Sequence, residues 1–169
     1  MRRRRLLFLV PAAALVLVLA LAGGATAAGH SSARKPASKQ AVVTTRKTKL
    51  GTILVNAQGR SLYLFEKDKG GKSACSGACA KAWPPLMTTG KAKAAGGVNA
   101  KLLGTTKRSN GTQVTYKGHP LYTFFQDTKA GQTNGEGLTD FGGRWDPVSA
   151  AGKAVRKGAS GTSPSRSGY

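Results

Sequence analysis

Between residues 42 and 150 the apolar positions fall in short runs of four to seven residues, separated by turns rich in glycine and asparagine. None carries the three-and-four spacing over ten or more residues that an amphipathic helix requires, so the pattern predicts strands. Thr52-Ile53-Leu54-Val55 and Ser61 to Phe65 flank Asn56-Ala57-Gln58-Gly59, a short loop whose glycine suits a hairpin. Thr105 to Ser109, Thr112 to Tyr116 and His119 to Phe125 follow, joined by the turns Asn110-Gly111 and Lys117-Gly118. Alternate side chains of a strand take opposite faces, so Tyr63 and Phe65 share one face and Leu62 and Leu64 the other. A strand apolar on both faces belongs in the interior. Later in the chain Tyr122 and Phe124 share a face, opposite Leu121, Thr123 and Phe125.

The two groups of strands are copies of one unit. Val43-Thr44-Thr45-Arg46-Lys47 matches Gly104-Thr105-Thr106-Lys107-Arg108, Gly51-Thr52 matches Gly111-Thr112, and Leu62-Tyr63-Leu64-Phe65 matches Leu121-Tyr122-Thr123-Phe124. Asp68 and Asp127 follow at the same distance, and Trp83-Pro84-Pro85-Leu86 aligns with Trp145-Asp146-Pro147-Val148. The order is kept and the offsets are 61, 60, 59, 59 and 62 residues, a period that marks an internal repeat. The expected fold is all-β: two tandem antiparallel meander repeats, 42–90 and 104–150, packed as one small domain over 42–150, with room for a short helix near the cysteines. Each unit reads as a three-stranded meander ended by a Trp-x-Pro strand.

The spacing Y-x-F-x-x-D, in Tyr63-Leu64-Phe65-Glu66-Lys67-Asp68 and again in Tyr122-Thr123-Phe124-Phe125-Gln126-Asp127, resembles bacterial secreted-repeat proteins described as predicted lipoproteins with a Y-x-(F/W/Y)-x-x-D motif. Cys75-x-x-x-Cys79-x-x-x-Trp83-Pro84-Pro85 and Tyr116-Lys117-Gly118-x-Pro120-Leu121-Tyr122 are similar to that family too. The resemblance covers about residues 42 to 150. It implies Tyr63, Phe65, Asp68, Tyr122, Phe124 and Asp127 as repeat-motif residues, and Trp83, Pro84 and Trp145 as packing positions. It carries over no activity, because the family is described by its repeat. This chain has no cysteine before Cys75, so it lacks the acceptor that a lipoprotein anchor needs.

Composition places the domain outside the cell. Arg2 to Arg5, the apolar run Leu6 to Ala22 and Ala25-Thr26-Ala27 read as a secretory signal over residues 1–27. Pro11 interrupts the run and no basic flank follows it, which favours cleavage over a permanent membrane span. The arginines also satisfy a loose twin-arginine pattern. Residues 28–41 and 151–169 have the composition of a flexible basic linker and a flexible basic tail. Lys and Arg number 27 against 6 Asp and Glu, a formal +21. Four of these charges leave with the signal, ten lie in residues 28–49 and 151–169, and +7 remains between 50 and 150. Outside the cell such a charge meets anionic wall polymers and lipid headgroups before it meets nucleic acid, and no nucleic-acid-binding motif is present.

Cys75 and Cys79 are the only cysteines. In an oxidising compartment such a pair reads first as a disulfide, a local clip worth about 2 kcal/mol. Haem attachment needs C-x-x-C-H and a four-cysteine zinc site needs two more ligands. C-x-x-x-C resembles the copper-delivery motif of Sco-type proteins, but Ala80 stands where they have proline, and His119 is the one histidine in the domain. An envelope redox or copper-handling role through Cys75, Cys79 and His119 is the alternative reading.

For the motif aromatics the plain role is core packing, with the polar tips satisfied; the other is an aromatic face for a sugar or a quinone. Asp68 and Asp127 stand where each strand should end, and a carboxylate there can accept backbone N–H bonds of a turn. Glu136, Asp140 and Asp146 do not match an EF-hand loop, and Gly70-Gly71-Lys72-Ser73 lacks the first glycine of a phosphate loop. No G-x-S-x-G elbow or zinc-protease motif occurs. The expectation is a secreted binding or structural module of the cell envelope, not an enzyme, with no catalytic residue, metal or cofactor.

Overall fold

Two β-hairpins of identical register frame the structure, a computed structural model that describes residues 40–158. In the first, β1 (Val42–Thr48) pairs antiparallel with β2 (Gly51–Asn56) from Val43↔Asn56 to Thr48↔Gly51. After β3 (Tyr63–Phe65), helix α1 (Ala78–Ala82) and the short β4 (Lys93–Ala94), the second hairpin joins β5 (Leu103–Arg108) to β6 (Gly111–Tyr116), from Leu103↔Tyr116 to Arg108↔Gly111. Short strands β7 (His119–Pro120) and β8 (Thr139–Asp140) precede β9 (Gly143–Pro147). Gly51 and Gly111 close the two turns at φ 96° and 140°, which few other residues adopt. These turns set a constant offset of 60, so Thr45 corresponds to Thr105. The likeness of Thr44-Thr45-Arg46-Lys47 to Thr105-Thr106-Lys107-Arg108, at offset 61, is one residue out of structural register. In a strand one residue decides which face a side chain takes.

The domain is all-β and built from two repeats, but the repeats are interleaved. The Leu62 N–H donates to the Leu54 carbonyl, Leu54 N–H to Val148, and Val148 N–H to Leu62. The second hairpin repeats the triangle with Leu121, Val114 and Leu86. Thus the segment after Trp83 completes the second hairpin, and the segment after Trp145 completes the first. β3 likewise pairs with β9, Tyr63↔Pro147, Leu64↔Asp146 and Phe65↔Trp145. Its counterpart bonds to the first repeat through Thr123 N–H to Pro84 and Phe125 N–H to Ala82. Tyr63 and Tyr122 exchange N–H···O bonds of 2.8 and 3.0 Å, so the approximate twofold axis passes between them. The meander with its own Trp-x-Pro strand is therefore corrected: that strand is lent to the other repeat, where it covers edges that a lone meander would leave unpaired.

β3 separates two cores by simple alternation. Leu62 and Leu64 join Val43, Leu54, Leu103, Val114, Tyr116, Leu121 and Val148 on one side. Tyr63 and Phe65 join Trp83, Tyr122, Phe124, Trp145 and both cysteines on the other. α1 is the short helix beside the cysteine pair.

Backbone and side-chain contacts with the domain also continue past residue 150. Val155 N–H donates to Pro147, Arg156 pairs with Asp146 and Glu66, and Lys157 N–H reaches Glu136. The cause is Asp146, fully buried between Trp145 and Pro147 and paired with the guanidinium groups of Arg144 and Arg156, since a buried carboxylate without partners is costly. The signal at 1–27, the linker up to residue 39 and the tail from 159 lie outside the described residues. Among the described residues no helix is long and apolar enough to cross a membrane.

Candidate functional site

The repeat motif is a reciprocal lock between the two halves. The Tyr63 hydroxyl donates to Asp127 Oδ2 at 2.6 Å, and the Tyr122 hydroxyl donates to Asp68 Oδ2 at 2.8 Å. Each tyrosine thus reaches the aspartate of the other repeat. The second carboxylate oxygen holds a loop: Asp127 Oδ1 accepts the Asn134 N–H at 2.9 Å, and Asp68 Oδ1 accepts the Ala74 N–H at 2.7 Å.

The other motif aromatics stack into a ladder, Phe65 on Trp145, Trp145 on Trp83 and Trp83 on Phe124, with centroids 4.0, 4.0 and 4.3 Å apart. Tyr63 meets Trp83 edge-on, as Tyr122 meets Trp145. Gly135 lies so close over Trp83 that a Cβ there would stand 2.6 Å from the indole. Every rung is buried, so these rings offer no face to a flat ligand. Cys75 and Cys79 form a disulfide with Cα atoms 5.3 Å apart, 1% and 5% exposed against this ladder.

One open feature is a cleft of about 610 Å³ to which both repeats contribute. Lys69, Lys117, His119 and Lys153 line it with Glu66 and Asp68, over a floor that includes Leu64 and Phe65. Its acids are engaged elsewhere: Glu66 pairs with Arg156, and Asp68 holds Tyr122 and the Ala74 amide. Among the described residues Lys69, Lys117 and Lys153 have no carboxylate partner. Of the four cationic or titratable groups only His119 stands out in the sequence. The lysines come from loops and turns far apart along the chain, and a general surplus of bases is their only sequence signal.

The sequence model of the family described as "Secreted repeat of unknown function" matches residues 44–87 and 104–149. The chain belongs to this family. No curated protein and no solved structure matches it. Each matched segment contains one hairpin, one tyrosine and one aspartate of the lock, and one lent Trp-x-Pro strand, so in this chain each matched segment is half of an interlocked pair. The protein is secreted, as the family description states.

Burial makes the lock of the secreted repeat pH-sensitive. Burial, reinforced by Asp127, pushes the Tyr63 hydroxyl far above its ordinary 10.0, and burial with the Asp68 charge does the same to Tyr122. A raised folded value means that the unfolded chain loses its proton first. Stability from these groups is therefore complete below about pH 10 and is lost as the pH rises further. Asp68 and Asp127 are also raised by burial, above 3.8, so their contribution is complete below that value and is lost as pH rises through their folded values. Cooperative unfolding should accordingly begin above about pH 10, with the phenolate absorbance of Tyr63 and Tyr122 rising together with loss of circular dichroism. Phenolate formation at these two residues in a folded protein, read by comparison with Tyr63→Phe and Tyr122→Phe, would contradict this.

Proposed function

We propose that this domain is a rigid secreted module that binds anionic cell-wall polymers through the cleft of Lys69, Lys117, His119 and Lys153. The observation that carries the reading is the set of three lysines without carboxylate partners around a cleft whose own acids are engaged elsewhere. Ammonium groups gathered at a concave surface attract phosphate or carboxylate groups, and salt screens the attraction. The basic flanks add non-specific attraction to the same polymers.

The test is retention of the exported protein on purified anionic wall polymer across a salt series, with anionic vesicles as a second arm. The triple variant Lys69→Glu, Lys117→Glu and Lys153→Glu should bind about tenfold more weakly or worse at low salt. These side chains lie at the surface, so its melting temperature should stay close to the parent value. Wild-type retention no stronger than that of the isolated terminal peptides would refute the cleft, and retention on vesicles alone would replace the polymer by a lipid surface. A redox or copper-handling role gains no support from the geometry. Both cysteines are buried, and among the described residues no three His, Cys, Asp or Glu side chains converge.

A further inference from the structure

The twofold relation between the repeats fails at one edge. On the side of β1 away from β2, β4 adds in parallel, Val42↔Lys93 and Val43↔Ala94. The amides of Lys93 and Ala95 donate to the carbonyls of Ala41 and Val43 at 2.8 and 2.9 Å, and the Thr45 hydroxyl bonds to Gly96. β5 is the counterpart of β1, and it stands at the end of its sheet, in the order β5-β6-β7. Among the described residues no strand or bridge pairs with its outer side.

The groups on that edge follow from β6. Val114 donates to Leu86 and accepts from Leu121, and the Thr112 carbonyl accepts from Thr88. Both residues therefore turn their backbone groups away from β5. Their partners there, Thr105 and Lys107, are non-hydrogen-bonded pairs whose N–H and C=O point outward; at Leu103 alternation leaves only the carbonyl, because its N–H donates to the Ala100 carbonyl. A groove of about 570 Å³ borders the edge, lined by Leu103, Thr105, Lys107, Thr112, Gly90 and Lys91. Its lining carries one sign of charge, Lys91 and Lys107 with no Asp or Glu. A second copy presenting the same edge would set these lysines against their own kind.

We propose that the outer edge of β5 binds an extended acidic peptide, which adds as a strand parallel to β5 as β4 adds to β1. The N–H and C=O groups of Thr105 and Lys107 and the Leu103 carbonyl bond to its main chain, and its carboxylates face Lys91 and Lys107. Main-chain pairing supplies affinity and the alternate side chains supply selection.

The test uses the whole exported protein with a blocked eight-residue peptide that alternates valine and glutamate, and a control with lysine in place of glutamate. Expected are saturable binding of the acidic peptide, slowed exchange of the Thr105 and Lys107 amides, and no binding of the control. Lys107→Glu should weaken binding about tenfold or more, whereas Lys129→Glu, the same charge change elsewhere, should leave it within about twofold. Thr105→Pro removes an outward N–H without breaking a ladder bond and should abolish binding with the fold retained. No binding at about 1 mM peptide, equal binding of both peptides, or equal effects of Lys107→Glu and Lys129→Glu would overturn the proposal. Protection of the β5 amides that rises with protein concentration without peptide would also overturn it, in favour of a second copy.

Discussion

Residues 40–98 expressed alone will stay unfolded, as will residues 99–158, and an equimolar mixture of the two will fold into one complex. The first fragment keeps the β1–β2 hairpin but loses Val148, which bonds to both Leu54 and Leu62. It loses β9 from the side of β3 and the Asp127 carboxylate from the Tyr63 hydroxyl. The second fragment suffers the mirror losses of Leu86, Pro84 and Asp68. At about sixty residues neither half buries enough surface to offset its chain entropy without those partners. Far-ultraviolet circular dichroism and sedimentation of each fragment and of the mixture decide the matter. A folded, monomeric half would mean that the exchanged strands decorate the fold instead of closing it.

Replacement of Trp145 by alanine should cost about 3–5 kcal/mol, the range for a large aromatic removed from a packed interior. Trp145 is fully buried, stacked between Phe65 and Trp83, and touched edge-on by Tyr122. The melting temperature should fall by about 10 °C or more in a domain of this size. Trp83→Ala should cost a similar amount, and the double variant less than the sum, because the two rings share one contact. Milder changes separate the pair. Trp145 Nε1 donates to the Asp140 carbonyl at 3.2 Å, whereas Trp83 Nε1 is buried without a partner. Trp145→Phe should therefore be the more costly of the two phenylalanine variants, since Trp83→Phe also removes an unsatisfied donor. Chemical denaturation of the five variants gives the comparison, and equal costs for the two phenylalanine changes would remove the role assigned to Asp140.

Local pattern made the strands and the two faces of β3 legible, because alternation needs only neighbouring residues. Leu62 and Leu64 point into one core and Tyr63 and Phe65 into the other, as period two requires. The near-constant spacing of tyrosine, aspartate and tryptophan made the repeat legible as well. The exchange was not, because Leu86 and Val148 are equally apolar and either would suit either hairpin. Which one bonds to Leu54 is decided by chain path, not composition. The hairpin offset was obscured by a chance likeness one residue out of step, and the fixed point was the glycine of each turn. Residues 151–157 were hidden by linker-like composition, and no local pattern marks Asp146 as the buried acid that holds Arg156. The cleft lysines could not be assembled from sequence at all, since Lys69, Lys117 and Lys153 meet only after both repeats have folded.

The reciprocal tyrosine-aspartate lock has an arithmetic consequence. Each unit offers one hydroxyl and one carboxylate, and lends one strand while borrowing another, so the account closes at two. A third unit joined to this chain would arrive with a buried carboxylate, a hydroxyl and a strand that nothing already present could accept. Proteins assembled on this plan therefore lengthen in even steps, and a single unit reaches the same closed state only by meeting its twin.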